Sequence, residues 1–159
     1  KRDVFILIDD REKTPLIFPP YLTIHNPTVP WVPHPQVVRL HTRTTRLPTG
    51  DYRLEGEEGR GCVERKAHLS ELAQNLFVER RYRLFTEELA RLRDSYSHPL
   101  LLIEGSPTRP FRTRAGEPSP DLVMDALLQC LSRYTVPVLF LDASTVDARR
   151  NAATIVAAT

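Results

Sequence analysis

Apolar and polar positions alternate along this chain in short blocks. Val4-Phe5-Ile6-Leu7-Ile8 is wholly apolar, largely β-branched, and ends on Asp9-Asp10. An unbroken apolar run of that length reads as a strand buried on both faces, which belongs to an α/β layer fold. Leu100–Ile103 and Val138–Leu141 repeat the pattern. Thr49-Gly50-Asp51-Tyr52 reads as a turn into a strand at Tyr52–Leu54, and the Gly56–Gly61 loop leads into another at Cys62–Lys66. Leu69, Leu72, Leu76, Leu84, Phe85, Leu89 and Leu92 recur at helical spacing. They predict one long helix from about Glu71 to Asp94, with Ser70 as its N-cap. Ser119-Pro120-Asp121 predicts a second helix running to about Arg133, and Ser144-Thr145-Val146-Asp147 reads as a capping box opening a third. Eight of the fourteen prolines fall between Pro15 and Pro48. That stretch is expected to be an ordered, extended loop, with Gln36–Leu40 as a strand inside it. The whole predicts one α/β domain over residues 1–159, with a central mixed sheet and helices on both sides.

Composition narrows the class without naming a function. The 159 residues are 41% hydrophobic and 26% charged, ordinary values for a globular protein with its own core. The longest apolar stretches, such as Val136–Leu141, cannot span a bilayer, so no membrane association is expected. No apolar signal segment follows Lys1. Nothing therefore marks the chain for secretion, and an intracellular location is expected. Cys62 and Cys130 lie in apolar surroundings and read as free, buried thiols, with no zinc site. The net charge is only +2, but the arginines cluster. Arg39, Arg43, Arg46 and Arg53 form one group with His41, Arg80, Arg81, Arg83, Arg91 and Arg93 a second, and Arg109, Arg112 and Arg114 a third. Arg suits bidentate phosphate contact, although Glu79, Glu87, Glu88 and Asp94 would equally make these solvated, paired faces.

Chemistry concentrates at Val63-Glu64-Arg65-Lys66. On a strand, Glu64 and Lys66 point to one face and Arg65 to the other. Glu64 and Lys66 thus have two readings, a simple ion pair or a phosphodiester-cleaving couple. In the second reading Glu64 binds a divalent metal, while Lys66 orients water or stabilises phosphate charge. Further acids bear on that choice. Asp51 follows Gly50 in a tight turn, where it is either a turn-former or a ligand. Asp9 closes a hydrophobic strand, where a carboxylate needs a cation or a cap to offset its burial. Hard oxygen donors of this kind suit Mg²⁺ or Mn²⁺.

These motifs resemble the XPF family of structure-selective DNA endonucleases, within the restriction-endonuclease-like PD-(D/E)xK group. Its pattern stands here as Asp9-Asp10-Arg11-Glu12, Gly50-Asp51-Tyr52 and Val63-Glu64-Arg65-Lys66, before a long helix. The similarity continues through Arg80, Pro99–Glu104 and Arg109-Pro110-Phe111, and is weakest over Pro15–Pro48. The resemblance implies a three-layer α/β/α nuclease fold and Mg²⁺-dependent cleavage of branched or structured DNA, with Mn²⁺ able to substitute, in DNA repair or recombination. It implies that Asp51 and Glu64 bind the metal, with the Arg65 carbonyl as a further ligand, and that Asp9 and Glu12 are direct or water-mediated ligands. Lys66 would act on the attacking water or the scissile phosphate. Arg65, whose side chain the pleat turns away, would form a buried ion pair or contact DNA. Arg11, Arg46, Arg80, Arg81 and Arg83 flank the motifs and are candidate phosphate contacts.

The chain departs from the family at Ser70, where relatives carry Asp, with Glu71 beside it. The helix-hairpin-helix module of relatives does not occur before Thr159. A homo- or heterodimer through the last two helices, around Leu122–Leu131 and Val146–Val156, is implied by the same resemblance. The competing reading is a catalytically silent, DNA-binding subunit of the same fold. Silent members lose their acids, and this chain keeps Asp9, Asp51, Glu64 and Lys66.

Overall fold

The computed structural model describes residues 2–24, 36–105, 116–141 and 146–158. Seven strands form one sheet: β1 (Arg2–Asp9), β2 (Tyr21–Ile24), β3 (Gln36–Thr45), β4 (Tyr52–Leu54), β5 (Gly61–Lys66), β6 (His98–Glu104) and β7 (Val138–Leu141). Their order is β2-β3-β1-β4-β5-β6-β7. β1 runs parallel to β3, and β5, β6 and β7 run parallel to one another. β4 is antiparallel to both β1 and β5, so the sheet is mixed, as the strand pattern predicts. The helices are α1 (Leu69–Phe77), α2 (Glu79–Ser95), α3 (Pro120–Tyr134) and α4 (Val146–Ala158).

The sheet separates two cores. One holds Cys62, Leu101 and Ile103 against Leu72, Leu76, Phe85, Leu89 and Leu92 of α1 and α2 and Val123 and Leu127 of α3. The other packs Ile6, Ile8, Val38, Leu40, Val63 and Leu102 against Ala153 and Val156 of α4. This is a three-layer α/β/α arrangement. The alternation of strand residues assigns each to its layer. Cys62 faces α1 and α2 while Val63 faces α4, so Glu64 and Lys66 follow Cys62 and Arg65 follows Val63.

Two expectations are corrected. The single long helix is two, broken at Val78, whose backbone is extended (φ −101, ψ 113). No Gly or Pro marks the break; helical phase requires it. From Leu76 to Phe85 is nine residues, about two and a half turns at 3.6 residues per turn. In one straight helix, Phe85, Leu89 and Leu92 would therefore face away from the layer that Leu72 and Leu76 enter. The break resets the phase, and Leu84, counted at sequence level as a core position, is 52% exposed. Ser70 is also not the N-cap. The helix begins at Leu69 after His68, whose carbonyl accepts from the Glu71 and Leu72 amides, and no side chain caps it.

The proline-rich segment holds more sheet than expected. β2 lies within it, and β3 runs five residues beyond Leu40 to Thr45. Ser119 does cap α3, accepting from the Leu122 amide at 3.5 Å with Pro120 in the first turn. Cys62 and Cys130 are free and buried. Ser144, Thr145, Arg109, Arg112 and Arg114 lie outside the described residues. Among the described residues, no helix is long and apolar enough to cross a membrane.

Candidate active site

The turn before β4 is built around Gly50. Its φ of 74° favours glycine, and a Cβ there would sit 2.2 Å from Cys62 Sγ, so no side chain fits. This close approach lets Asp51 lie along β5. Its amide donates to the Val63 carbonyl at 2.8 Å, and its Oδ2 accepts from the Arg65 amide at 2.8 Å. Asp51 thus brackets Glu64 from both sides. Its carbonyl accepts from the Asp9 amide at 2.9 Å, which ties the end of β1 to the same place.

On the α1/α2 side, Lys66 Nζ donates to Glu64 Oε1 at 2.5 Å. The same ammonium lies 3.8 Å from Glu88 Oε2 on α2, 4.0 Å from Glu71 Oε1 on α1, and 5.4 Å from the centre of the Phe85 ring. Glu64 and Lys66 are both buried. Burial pushes the Glu64 carboxyl well above its usual range; Lys66 opposes this, and Asp51 and Glu88 reinforce it. Burial likewise pushes Asp51 up to about 7, against the Arg65 amide bond and Lys66, with Glu12 and Glu88 adding to the rise. For Lys66, burial disfavours the charge, but Glu64 and Glu88 outweigh it and hold the ammonium above its usual value.

Asp9 and Arg65 occupy different chemistry. The Asp9 carboxylate is fully buried and accepts four hydrogen bonds: from Arg11 N, Nε and Nη2 at 2.8, 2.6 and 2.8 Å, and from the Leu47 amide at 2.8 Å. Its pKa falls to about 2, chiefly through the Arg11 side-chain bond. The cation that a buried strand-end acid needs is here Arg11. Arg65, on the opposite face of β5, donates from Nε to Glu104 Oε1 at 2.6 Å and from Nη1 to the Thr14 carbonyl at 2.6 Å. Nη1 also lies 3.2 Å from Glu12 Oε1. Arg65 is thus a buried ion-pair hub that stitches the loop after β1 to β6. Tyr52, its neighbour beneath the sheet, accepts from the Leu16 amide through its hydroxyl at 3.0 Å and fixes the same loop.

The charges sort accordingly. Asp9 is matched by Arg11, and Glu12 and Glu104 share Arg65. That leaves Asp51, Glu64, Glu88 and the more exposed Glu71 around Lys66, more acids than the ammonium matches, with burial favouring the protonated forms of Asp51 and Glu64. Among the described residues no group of three His, Cys, Asp or Glu converges on a single point. Of the four acids expected as ligands, Asp9 and Glu12 are paired with arginines, whereas Asp51 and Glu64 are not. Two hard carboxylates with surplus negative charge suit Mg²⁺, which retains several waters and is commonly held by one or two carboxylates. The residues present fit such an ion.

Glu88 is the member that sequence reading placed on an ordinary charged face. Nothing in spacing links it to Lys66; only the break at Val78, which turns α2 back over β5, does so. The candidate phosphate contacts are not gathered at one point. Arg46 pairs with Asp10 at 3.0 Å, Arg81 donates to Gln74, and Arg80 and Arg83 are exposed on α2, off its buried Phe85–Leu89–Leu92 stripe. Arg11 is committed to Asp9, with 55% of its side chain still exposed.

A mixed sheet sandwiched by helices, with Asp and Glu-x-Lys meeting where β4 and β5 join, has the restriction-endonuclease-like fold of an XPF nuclease domain. The chain belongs to the ERCC4 domain family, whose model matches residues 37–145. It is similar to the solved structure of XPF from Aeropyrum pernix, with 21% identity and a TM-score of 0.58, covering 96% of this chain and 57% of that one. XPF from Aeropyrum pernix in complex with DNA gives 22% identity and a TM-score of 0.60, covering 97% of this chain and 62% of that one. The chain thus spans less than two thirds of either. A comparison with curated proteins finds no match.

Proposed function

We propose that this chain is a divalent-metal-dependent endonuclease domain that hydrolyses phosphodiester bonds in branched or otherwise structured DNA, in repair or recombination. The observation that carries the reading is Asp51 bonded across Glu64 on β5, with the Lys66 ammonium beside Glu64. The DNA bound by the related Aeropyrum pernix structure supports the choice of polymer.

Asp51 and Glu64 would hold Mg²⁺ or Mn²⁺, which supplies Lewis acidity to a phosphodiester. Glu64 is buried and Asp51 half-buried, a low-dielectric setting that would strengthen their attraction, once ionised, for a dication. Lys66 would present its ammonium to water or to the phosphate, where charge develops. Asp9–Arg11 and Arg65–Glu12–Glu104 would act by rigidity, holding the two ends of the site in register. Arg46, Arg80, Arg81 and Arg83 would steer and grip the phosphates.

A second reading, a DNA-binding subunit without catalysis, has one observation in its favour: Asp9 and Glu12 are both taken by arginines. A panel of flap, fork, nicked-junction and splayed-arm DNAs, incubated with Mg²⁺, Mn²⁺ or EDTA, separates the two. Cleavage of any branched substrate with metal and none with EDTA supports the enzyme. Tight binding with no cleavage supports the silent subunit.

A further inference from the structure

Lys66 has more acidic neighbours than a simple ion pair needs, and they come from three different elements. Glu64 lies beside it on β5, Glu71 on α1 and Glu88 on α2. The three are not equivalent. Glu71 has 43% of its side chain exposed and stands at 4.0 Å, so water screens it. Glu88 has 24% exposed and stands at 3.8 Å, on a turn of α2 anchored by Phe85 and Leu89, which are 3% and 0% exposed. The Phe85 ring also closes the space beside the Lys66 ammonium.

Resting on the nuclease reading, we propose that Glu88 is a positioning residue: it keeps the Lys66 ammonium in the site when Glu64 turns its charge to a divalent cation. Without the cation, Glu64 is the closest partner of Lys66. With Glu64 neutralised by a dication, Lys66 meets repulsion from that dication and loses its main attraction. A long side chain with three rotatable donors would then leave for solvent. Glu88 reaches Lys66 from α2 rather than from β5, the strand that carries Glu64, so its hold on the ammonium does not depend on where Glu64 turns.

The Lys66 ammonium can be observed directly, because the chain has only three lysines, Lys1, Lys13 and Lys66. Nitrogen-detected NMR of the lysine ammonium groups, assigned with Lys66→Arg, is recorded for wild type and Glu88→Gln in EDTA and in Mg²⁺. In EDTA both proteins should show an immobilised Lys66 signal, held by Glu64. In Mg²⁺ it should persist in wild type and collapse to the free-lysine position in Glu88→Gln. Glu88→Asp, which keeps the charge, should restore it in part. Single-turnover cleavage by Glu88→Gln should fall about tenfold, less than the 10²–10³-fold typical of deleting a charge-stabilising group outright. A signal that survives Mg²⁺ in Glu88→Gln, or is lost equally in EDTA, overturns the inference while wild-type cleavage leaves the nuclease reading intact. Wild type that takes up no Mg²⁺ by calorimetry and cuts no DNA overturns both.

Discussion

Replacing Asp9 with Asn separates its observed role from the ligand role that family resemblance assigns to it. The carboxylate is wholly buried and accepts four hydrogen bonds. Asn keeps the shape but turns an amide donor toward other donors, the Leu47 amide or the Arg11 guanidinium. The depression of the carboxyl from 3.8 to about 2 corresponds to about 2 kcal/mol at 1.36 kcal/mol per unit. Screening of the half-exposed Arg11 lowers that figure to about 1 kcal/mol, and the misdirected donor adds roughly 1–3 kcal/mol, a loss of about 2–4 kcal/mol. In a chain of this size each kcal/mol moves the Tm by about 2–4 °C, so a drop of roughly 4–16 °C is expected. The folded carboxyl holds its proton less tightly than the unfolded one. Its contribution is therefore complete above the unfolded value of 3.8 and is lost as pH falls toward about 2. Urea unfolding of both proteins in EDTA should show the full difference at pH 7 and 5 and a smaller one at pH 3. Mg²⁺ uptake by calorimetry should survive the substitution. Equal stability at pH 7 together with abolished Mg²⁺ binding would refute the structural role and make Asp9 a ligand.

Three further outcomes follow from neighbouring contacts. Arg65→Met leaves Glu12 and Glu104 without their shared cation and should cost about 3–5 kcal/mol in chemical denaturation, as for other broken buried pairs; a loss below about 1 kcal/mol would dismiss the hub. The Asp51 carboxyl titrates near 7 in the fold against 3.8 as its ordinary value, so the folded protein binds the extra proton between them. Metal-free stability should thus decline as pH rises from about 4 to 7 and level off above that, and saturating Mg²⁺ should flatten the decline; a Tm profile in EDTA that rises over that window instead contradicts the burial argument. Ser70→Ala should leave the Tm unchanged or slightly raised, because Ser70 lies inside α1 and Ala is the better helix former. A loss of about 1 kcal/mol would restore it as a cap.

The strands were legible because each is short and apolar or closed by a turn signal: Tyr52–Leu54 and Val138–Leu141 coincide with β4 and β7. β2 was hidden because four residues, Tyr21–Ile24, carry too little pattern to stand out among prolines. The break at Val78 was hidden for a different reason. It depends on the phase between Leu76 and Phe85, and the adjacent Leu84, closer in phase to Leu76, hides the half-turn slip. In the site, the pleat of β5 foretold which side Glu64, Lys66 and Arg65 face. The partner of Asp9 was two residues away, yet a sequence cannot say whether Arg11 turns back to it or out to a phosphate. Glu88 was beyond reach because only the fold of α2 over β5 brings it to Lys66. Pairing of charges is three-dimensional information, whereas burial periodicity is local.

Cleavage kinetics of Glu64→Gln test the central claim most directly. Single-turnover reactions on a branched DNA that wild type cuts, in Mg²⁺ and in EDTA, are run beside a binding titration in EDTA. The substitution keeps the size of the side chain and removes the anionic donor that a hard cation requires. The account predicts that Glu64→Gln folds and binds DNA as tightly as wild type or more tightly, while Mg²⁺-dependent cleavage falls at least about 10²-fold. Robust Mg²⁺-dependent cutting by Glu64→Gln would contradict it.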